Sequence, residues 1–122
     1  MIGLLAGRRM LIVEDEMLVL MHIEAALAEL GCSTVLAAAN VDQAVGLLSK
    51  HNFDLAILDV NLGGEKSYPV ADALAKRSIP FAFSTGCGDH GDRTDFEERP
   101  VLRKPYVQAR LKAVVTQLLT GT

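Results

Sequence analysis

Met10-Leu11-Ile12-Val13-Glu14-Asp15 is a run of four apolar residues closed by two acids. The run is too short for a helix and does not alternate, which suits a strand buried on both faces of a sheet. Past Asp15 the period changes. Met17, Leu20, Ile23, Leu27 and Leu30 recur at steps of three and four, the pattern of one helix face, and this stripe reads as core. Gly31 follows, where a helix end favours a left-handed residue. A buried strand that turns through an acidic corner into a helix is the opening unit of an open α/β sheet.

The rest of the chain repeats that unit. Thr34-Val35-Leu36-Ala37 reads as a second strand, and Asn40 with Gln43 three residues on resembles a capping box opening a helix through Leu47-Leu48. Phe53 to Leu58 is a third apolar run, stopping at Asp59, and Asn61, Gly63 and Gly64 mark a loop. Pro69, just after Ser67, suits the first turn of a third helix through Ala71, Leu74 and Ala75. Ile79 to Phe83 is a fourth strand with Pro80 tolerated at its start, and Val101-Leu102 a fifth, ending at Lys104-Pro105. The closing helix carries Val107, Leu111, Val114, Val115 and Leu118 on one face. Between Thr85 and Val101 glycines and acids leave only 95–99 as a helical turn, so the fourth helix is expected to be short or poorly formed. The predicted fold is a doubly wound, five-stranded parallel α/β sheet, flavodoxin-like, in the order 2-1-3-4-5.

Bulk properties bound the function. At 122 residues, half of them apolar, the chain is long enough for one domain with a true core. A net charge of −3 with no basic block argues against nucleic acid as a direct ligand. No apolar run approaches the length of a bilayer span, and Met1 to Ala6 lacks the cationic start of a signal peptide, so a cytoplasmic protein without membrane association is expected. Cys32 and Cys87 have no zinc or redox spacing and read as free thiols. The chain ends just past its last helix, so residues 1–122 are read as a single domain with no effector domain.

A parallel sheet gathers the carboxyl ends of its strands at one edge, where ligands of such folds bind. Glu14, Asp15, Asp59, Thr85 and Lys104 all sit at strand ends and would meet there. Carboxylates held together repel, and a site built from them usually serves a divalent cation and a phosphoryl group. Asp59 would accept the phosphoryl group as a nucleophile. Mg²⁺, a hard cation that prefers oxygen, would take Asp15 and Asp59 directly, a water held by Glu14, and the Asn61 backbone carbonyl. Lys104 and Thr85 would hold phosphoryl oxygens by charge and hydrogen bond. The same Glu14-Asp15 pair alone would suit a solvated helix start, and the acids around His90 a solvated loop. The catalytic reading rests on the set.

These residues carry a resemblance over nearly the whole chain. Leu11-Ile12-Val13-Glu14-Asp15-Glu16, Leu58-Asp59-Val60-Asn61-Leu62, Ile79-Pro80-Phe81-Ala82-Phe83-Ser84-Thr85-Gly86 and Lys104-Pro105-Tyr106 together resemble the receiver domain of two-component response regulators. Phe83-Ser84-Thr85-Gly86 resembles the stand-alone subfamily named for its Phe-Ala-Thr-Gly-Tyr motif, which implies a link to bacterial stress signalling. The resemblance implies a regulatory phosphoacceptor rather than an enzyme, taking phosphate from a histidine kinase or histidine phosphotransfer protein and signalling to a downstream protein. Three positions depart from it. Glu14 stands where the family often has Asp, Val101 where a switching aromatic is usual, and Cys87 where the subfamily has its aromatic. Tyr106 and Phe96 are nearby candidates to replace it, and nothing in the sequence favours either. Two other readings stay open, a phosphorylation-independent adaptor and a Mg²⁺-dependent phosphatase. The phosphatase would favour an acid where Asn61 stands.

Overall fold

A computed structural model describes residues 3–86, 99–104 and 106–120. Nine elements carry the layout: β1 (Arg9–Val13), α1 (Met17–Glu29), β2 (Thr34–Ala38), α2 (Val41–Lys50), β3 (Leu55–Asp59), then after a small hairpin α3 (Tyr68–Lys76), β6 (Phe81–Thr85), β7 (Val101–Arg103) and α4 (Gln108–Thr120). The hairpin is β4 (Asn61–Leu62) and β5 (Glu65–Lys66), antiparallel, and turns at Gly63 and Gly64, both with positive φ. The main sheet runs β2-β1-β3-β6-β7, every pair parallel. With the hairpin strands set aside this is the expected 2-1-3-4-5 order. The expected fourth helix at 95–99 lies almost wholly outside the described residues, as does Cys87. Among the described residues no helix is long and apolar enough to cross a membrane.

The alternation of side chains along each strand divides the core in two. Leu11, Val13, Ala56, Leu58, Phe81 and Phe83 pack with α2 and α3, while Met10, Ile12, Leu55, Ile57 and Ala82 pack with α1 and α4. Strands β1, β3 and β6 are buried on both faces, which is why they read as unbroken apolar runs.

Two local signals act as the sequence suggests. Asn40 caps α2, its Oδ1 accepting from the Gln43 N–H at 2.8 Å, while Gln43 Oε1 reaches back to the Ala39 N–H rather than that of Asn40. Gly31 has φ +89° and ends α1 in a Schellman motif: the Cys32 N–H bonds Leu27 O at 3.1 Å and the Gly31 N–H bonds Ala28 O at 3.0 Å. That corner is also a packing point. A Cβ on Gly31 would fall 2.7 Å from the Gly3 Cα, in the segment that plants Leu5 in the α1 side of the core.

Three expectations need correction. Met17 is 69% exposed, with Leu18 81% and Met21 55%, so the inward stripe of α1 begins at Leu20 and is sealed by Ile23, Leu27 and Leu30. Val107 precedes α4 and is exposed. The fourth strand runs over 81–85 rather than 79–83, because Ser78 has positive φ and Pro80 offers no N–H to the ladder.

Replacing Gly31 by Ala forces a side chain into the left-handed region and into Gly3, and we expect a loss of more than about 1 kcal/mol in urea unfolding. Gly46, inside α2 with open space where its Cβ would be, is expected to gain roughly 0.5–1 kcal/mol as Ala.

Candidate functional site

The sheet order sets what meets at the carboxyl edge. β1 and β3 are neighbours, so Glu14 and Asp15, which follow β1, lie beside Asp59, the last residue of β3. One carboxylate oxygen from each of the three lies within 4.8 Å of the others. Glu14 is only 2% exposed, pinned by its N–H to Ala38 O at 2.9 Å, and its Oε2 accepts the Glu16 N–H at 3.2 Å. Asp59 is buried, Asp15 exposed.

Lys104 enters from the other side. It follows β7, two strands from β3, and its Nζ lies 2.9 Å from Asp59 Oδ2 and 2.7 Å from Glu14 Oε1. The Asp59 contact is a hydrogen bond; the Glu14 contact is an ion pair by distance without hydrogen-bond alignment. The Lys104 backbone N–H donates to Thr85 O at 2.9 Å, tying the ends of β6 and β7 together. Thr85 is buried at the end of β6, one residue past Ser84, which is in register with Asp59. All five strand-end residues are thus at one edge. Asn61 is at this edge too, its N–H directed at Asp59 Oδ1 at 3.2 Å. Gly63, in the turn of the hairpin, lies close to the Asp15 carboxylate.

The electrostatics are strained in the direction a cation relieves. Burial pushes the Glu14 carboxyl up from its ordinary 4.5 to about 7; Lys104 pulls it down, while the hydrogen bond and charge of Asp59 add to the rise. Burial disfavours the Lys104 ammonium, yet Glu14 and Asp59 outweigh it and the net shift is upward. Three carboxylates against one ammonium leave two negative charges uncompensated within this cluster when all are ionised. An all-oxygen set with that imbalance fits a small divalent cation such as Mg²⁺.

Sequence reasoning missed two features here. One is the exposed apolar surface of α1, hidden because apolar residues lie on more than one side of that helix. A cavity of about 500 Å³ opens beside it, lined by Glu16, Leu18, Val19, His22, Lys104 and Tyr106. The other is Ser84, whose small polar side chain inside an apolar strand was the available signal.

Linkage gives a test of the Glu14 environment. In metal-free protein the folded state keeps a proton on Glu14 that the unfolded chain loses near pH 4.5. The stability this contributes is complete below about pH 4.5 and disappears as pH rises through about 7. Chemical denaturation in chelator should therefore show wild type losing stability over that window relative to Glu14→Gln, which lacks the proton exchange.

Residues 10–116 match the family model described as response regulator receiver domain. The chain is similar to SdrG from Sphingomonas melonis Fr1, at 44% identity and a TM-score of 0.83, covering 92% of this chain and 96% of that one. It is similar also to the receiver domain of the sensor histidine kinase PA1611 from Pseudomonas aeruginosa PAO1, whose structure has a magnesium ion coordinated in the active site cleft. There the identity is 25% and the TM-score 0.81, over 94% of this chain and 99% of that one. Among curated proteins it is 29% identical over 119 residues to the probable transcriptional regulator ycf27 of Cyanophora paradoxa. That match takes in 94% of this chain, which spans about half (49%) of that relative's length. A parallel sheet in this order, acids and a lysine at its carboxyl edge, and a family match over most of its length lead to one conclusion: the chain belongs to the response regulator receiver domain family.

Proposed function

We propose that this receiver is a phosphoacceptor in which Asp59 takes a phosphoryl group from a phosphohistidine on a histidine kinase or phosphotransfer protein. The observation that carries the reading is the Lys104 ammonium held between Asp59 and Glu14, next to a third carboxylate. An Asp59 oxygen attacks phosphorus, the P–N bond breaks, and the imidazole leaves with its electron pair and takes up a proton, leaving an acyl phosphate. Lys104, released from its two carboxylate partners, pairs with a phosphoryl oxygen, and the Thr85 hydroxyl donates to another. Glu14, Asp15, Asp59 and the Asn61 carbonyl are the proposed Mg²⁺ set, and the bound ion supplies neutralisation of the phosphoryl oxygens. Transfer in this class depends mainly on positioning and charge, so the domain needs no further catalytic group.

The α1 surface supports a donor protein rather than a small molecule. Met17, Leu18 and Met21 are exposed on α1, and Leu18 lines the cavity that reaches Lys104. An apolar helix face of the donor would dock there and present its imidazole to Asp59. We read the protein as a cytoplasmic receiver, its output passing by partner binding, onward transfer or draining of phosphate from a shared kinase. The Phe83-Ser84-Thr85-Gly86 stretch supports a place in bacterial stress signalling.

With Mg²⁺ and acetyl phosphate the intact-protein mass should rise by one phosphate in wild type and not in Asp59→Asn. Equal labelling of the two assigns the acceptor elsewhere, and partner affinity independent of labelling would leave an adaptor. Leu18→Asp should keep acetyl phosphate labelling but slow transfer from a phosphorylated kinase that labels wild type, on the order of tenfold. Equal transfer rates would place the docking surface away from α1.

A further inference from the structure

The hairpin that follows Asp59 touches two of the three acids. At its base the Asn61 N–H is directed at Asp59 Oδ1, 3.2 Å away, and at its turn a Cβ on Gly63 would fall 3.5 Å from Asp15 Oδ2. Leu62, only 5% exposed, anchors it in the α2–α3 side of the core. A hairpin of two-residue strands is not stable by itself, so this packing and the turn must hold its shape.

Its register decides where the Asn61 carbonyl points. Asn61 is opposite Lys66, and Leu62 is opposite Glu65. The Ser67 N–H bonds Val60 O at 3.0 Å, which makes Val60 and Ser67 a hydrogen-bonded pair. Such pairs alternate along an antiparallel ladder, so Asn61 and Lys66 are the intervening pair, with no hydrogen bonds between them. The N–H and C=O of one residue leave a strand on the same side. The Asn61 N–H faces Asp59, and its carbonyl therefore faces the acids as well. Gly63 and Gly64 close the ladder with φ of +60° and +94°, the signs of a type I′ turn, which suits two-residue loops between right-twisted strands. A side chain on Gly64 would meet open space, so at that position the backbone conformation alone calls for glycine.

We infer that the β4–β5 hairpin is the positioning element of the divalent-cation site: the left-handed Gly63-Gly64 turn fixes the register, and the register aims the Asn61 carbonyl at Asp15 and Asp59. Gly63 and Gly64 are positioning residues in this scheme, and the inference rests on the Mg²⁺ set proposed above. A turn that cannot take positive φ would shift the register or open the ladder. A slip of one residue changes which residues share the ladder's hydrogen bonds, and the Asn61 carbonyl loses its direction. The acids stay where the β1–β3 pairing puts them, so the loss of affinity is graded rather than complete.

The probe is Mg²⁺ alone, titrated into metal-free protein at a temperature where each variant is folded and followed by the amide resonances of Asp15 and Asn61. Gly64→Val should bind it about tenfold more weakly, the scale of loss when the groups that orient a metal ligand are disturbed. Gly64→Asn should stay within about twofold of wild type, because asparagine tolerates the left-handed region. Gly64→Ala, smaller than asparagine but less tolerant of positive φ, should lie between them, and this order keeps the test decisive if the valine variant does not fold. Gly31→Ala, which lowers stability at the far end of α1, should leave Mg²⁺ affinity unchanged. Equal affinity across the Gly64 variants, a larger loss in Gly64→Asn than in Gly64→Ala, or a matching loss in Gly31→Ala would each overturn the hairpin's role. Absence of any saturable Mg²⁺ response in wild type would overturn the proposed metal set and the hairpin's role with it.

Discussion

The position of the Lys104 ammonium, 2.9 Å from Asp59 and 2.7 Å from Glu14, is the constraint on which the carboxyl edge depends. Lys104 follows β7 while Asp59 ends β3, with β6 between them. Two strand spacings make roughly 10 Å, which the long lysine stem, the hydrogen bond and the Asp59 side chain cover together and a short side chain in place of lysine would not. The hydrogen bond from the Lys104 N–H to Thr85 O sets where that stem starts. Glu14 and Asp59 are brought together by the β1–β3 pairing, and both are buried. Without the ammonium between them, two desolvated carboxylates would face each other.

That arrangement is incomplete in a useful way. One ammonium leaves the three carboxylates undercompensated, and burial, with Asp59 adding to it, pushes Glu14 up to about 7. In the proposed reading such a site would respond to added charge of either sign: a divalent cation would complete it, and a phosphoryl group would draw Lys104 off its carboxylates. Ser84 is paired with Asp59 in the sheet and Tyr106 lies just past Lys104, so this edge adjoins the α1 side of the core. The stretch Phe83 to Thr85 thus does two jobs, with Phe83 filling one face of the core and Ser84 and Thr85 lying at the site.

Much of this was legible in the chain because strands buried on both faces leave a strong sequence signature, and polar residues that end them stand out. Glu14, Asp15, Asp59, Thr85 and Lys104 all reached the edge the alternation assigned them, and Gly31 and Asn40 ended and began helices as their chemistry requires. What was not legible depends on tertiary contacts. The α1 pattern contains apolar residues on more than one side, and only the packed sheet decides that Ile23 goes in and Leu18 stays out. Leu5 lies in an opening stretch that the pattern assigns to no element, and only its packing in one cluster with residues of α1 and β1 makes it core. The hairpin after Asp59 was read as a loop because each of its strands is two residues long. Tyr106 is named in the sequence as a nearby aromatic, but its burial and its edge-on contact with His22 come from the packed structure alone.

Identification of the residue that carries phosphate tests the central claim most directly. After labelling with Mg²⁺ and acetyl phosphate, borohydride reduces an aspartyl phosphate to homoserine, which marks its position in a peptide mass map. Homoserine at position 59, with Asp15 and Asp54 unchanged, is the result expected. Label on a histidine or serine, or homoserine at another aspartate, would contradict the assignment of Asp59 as the acceptor.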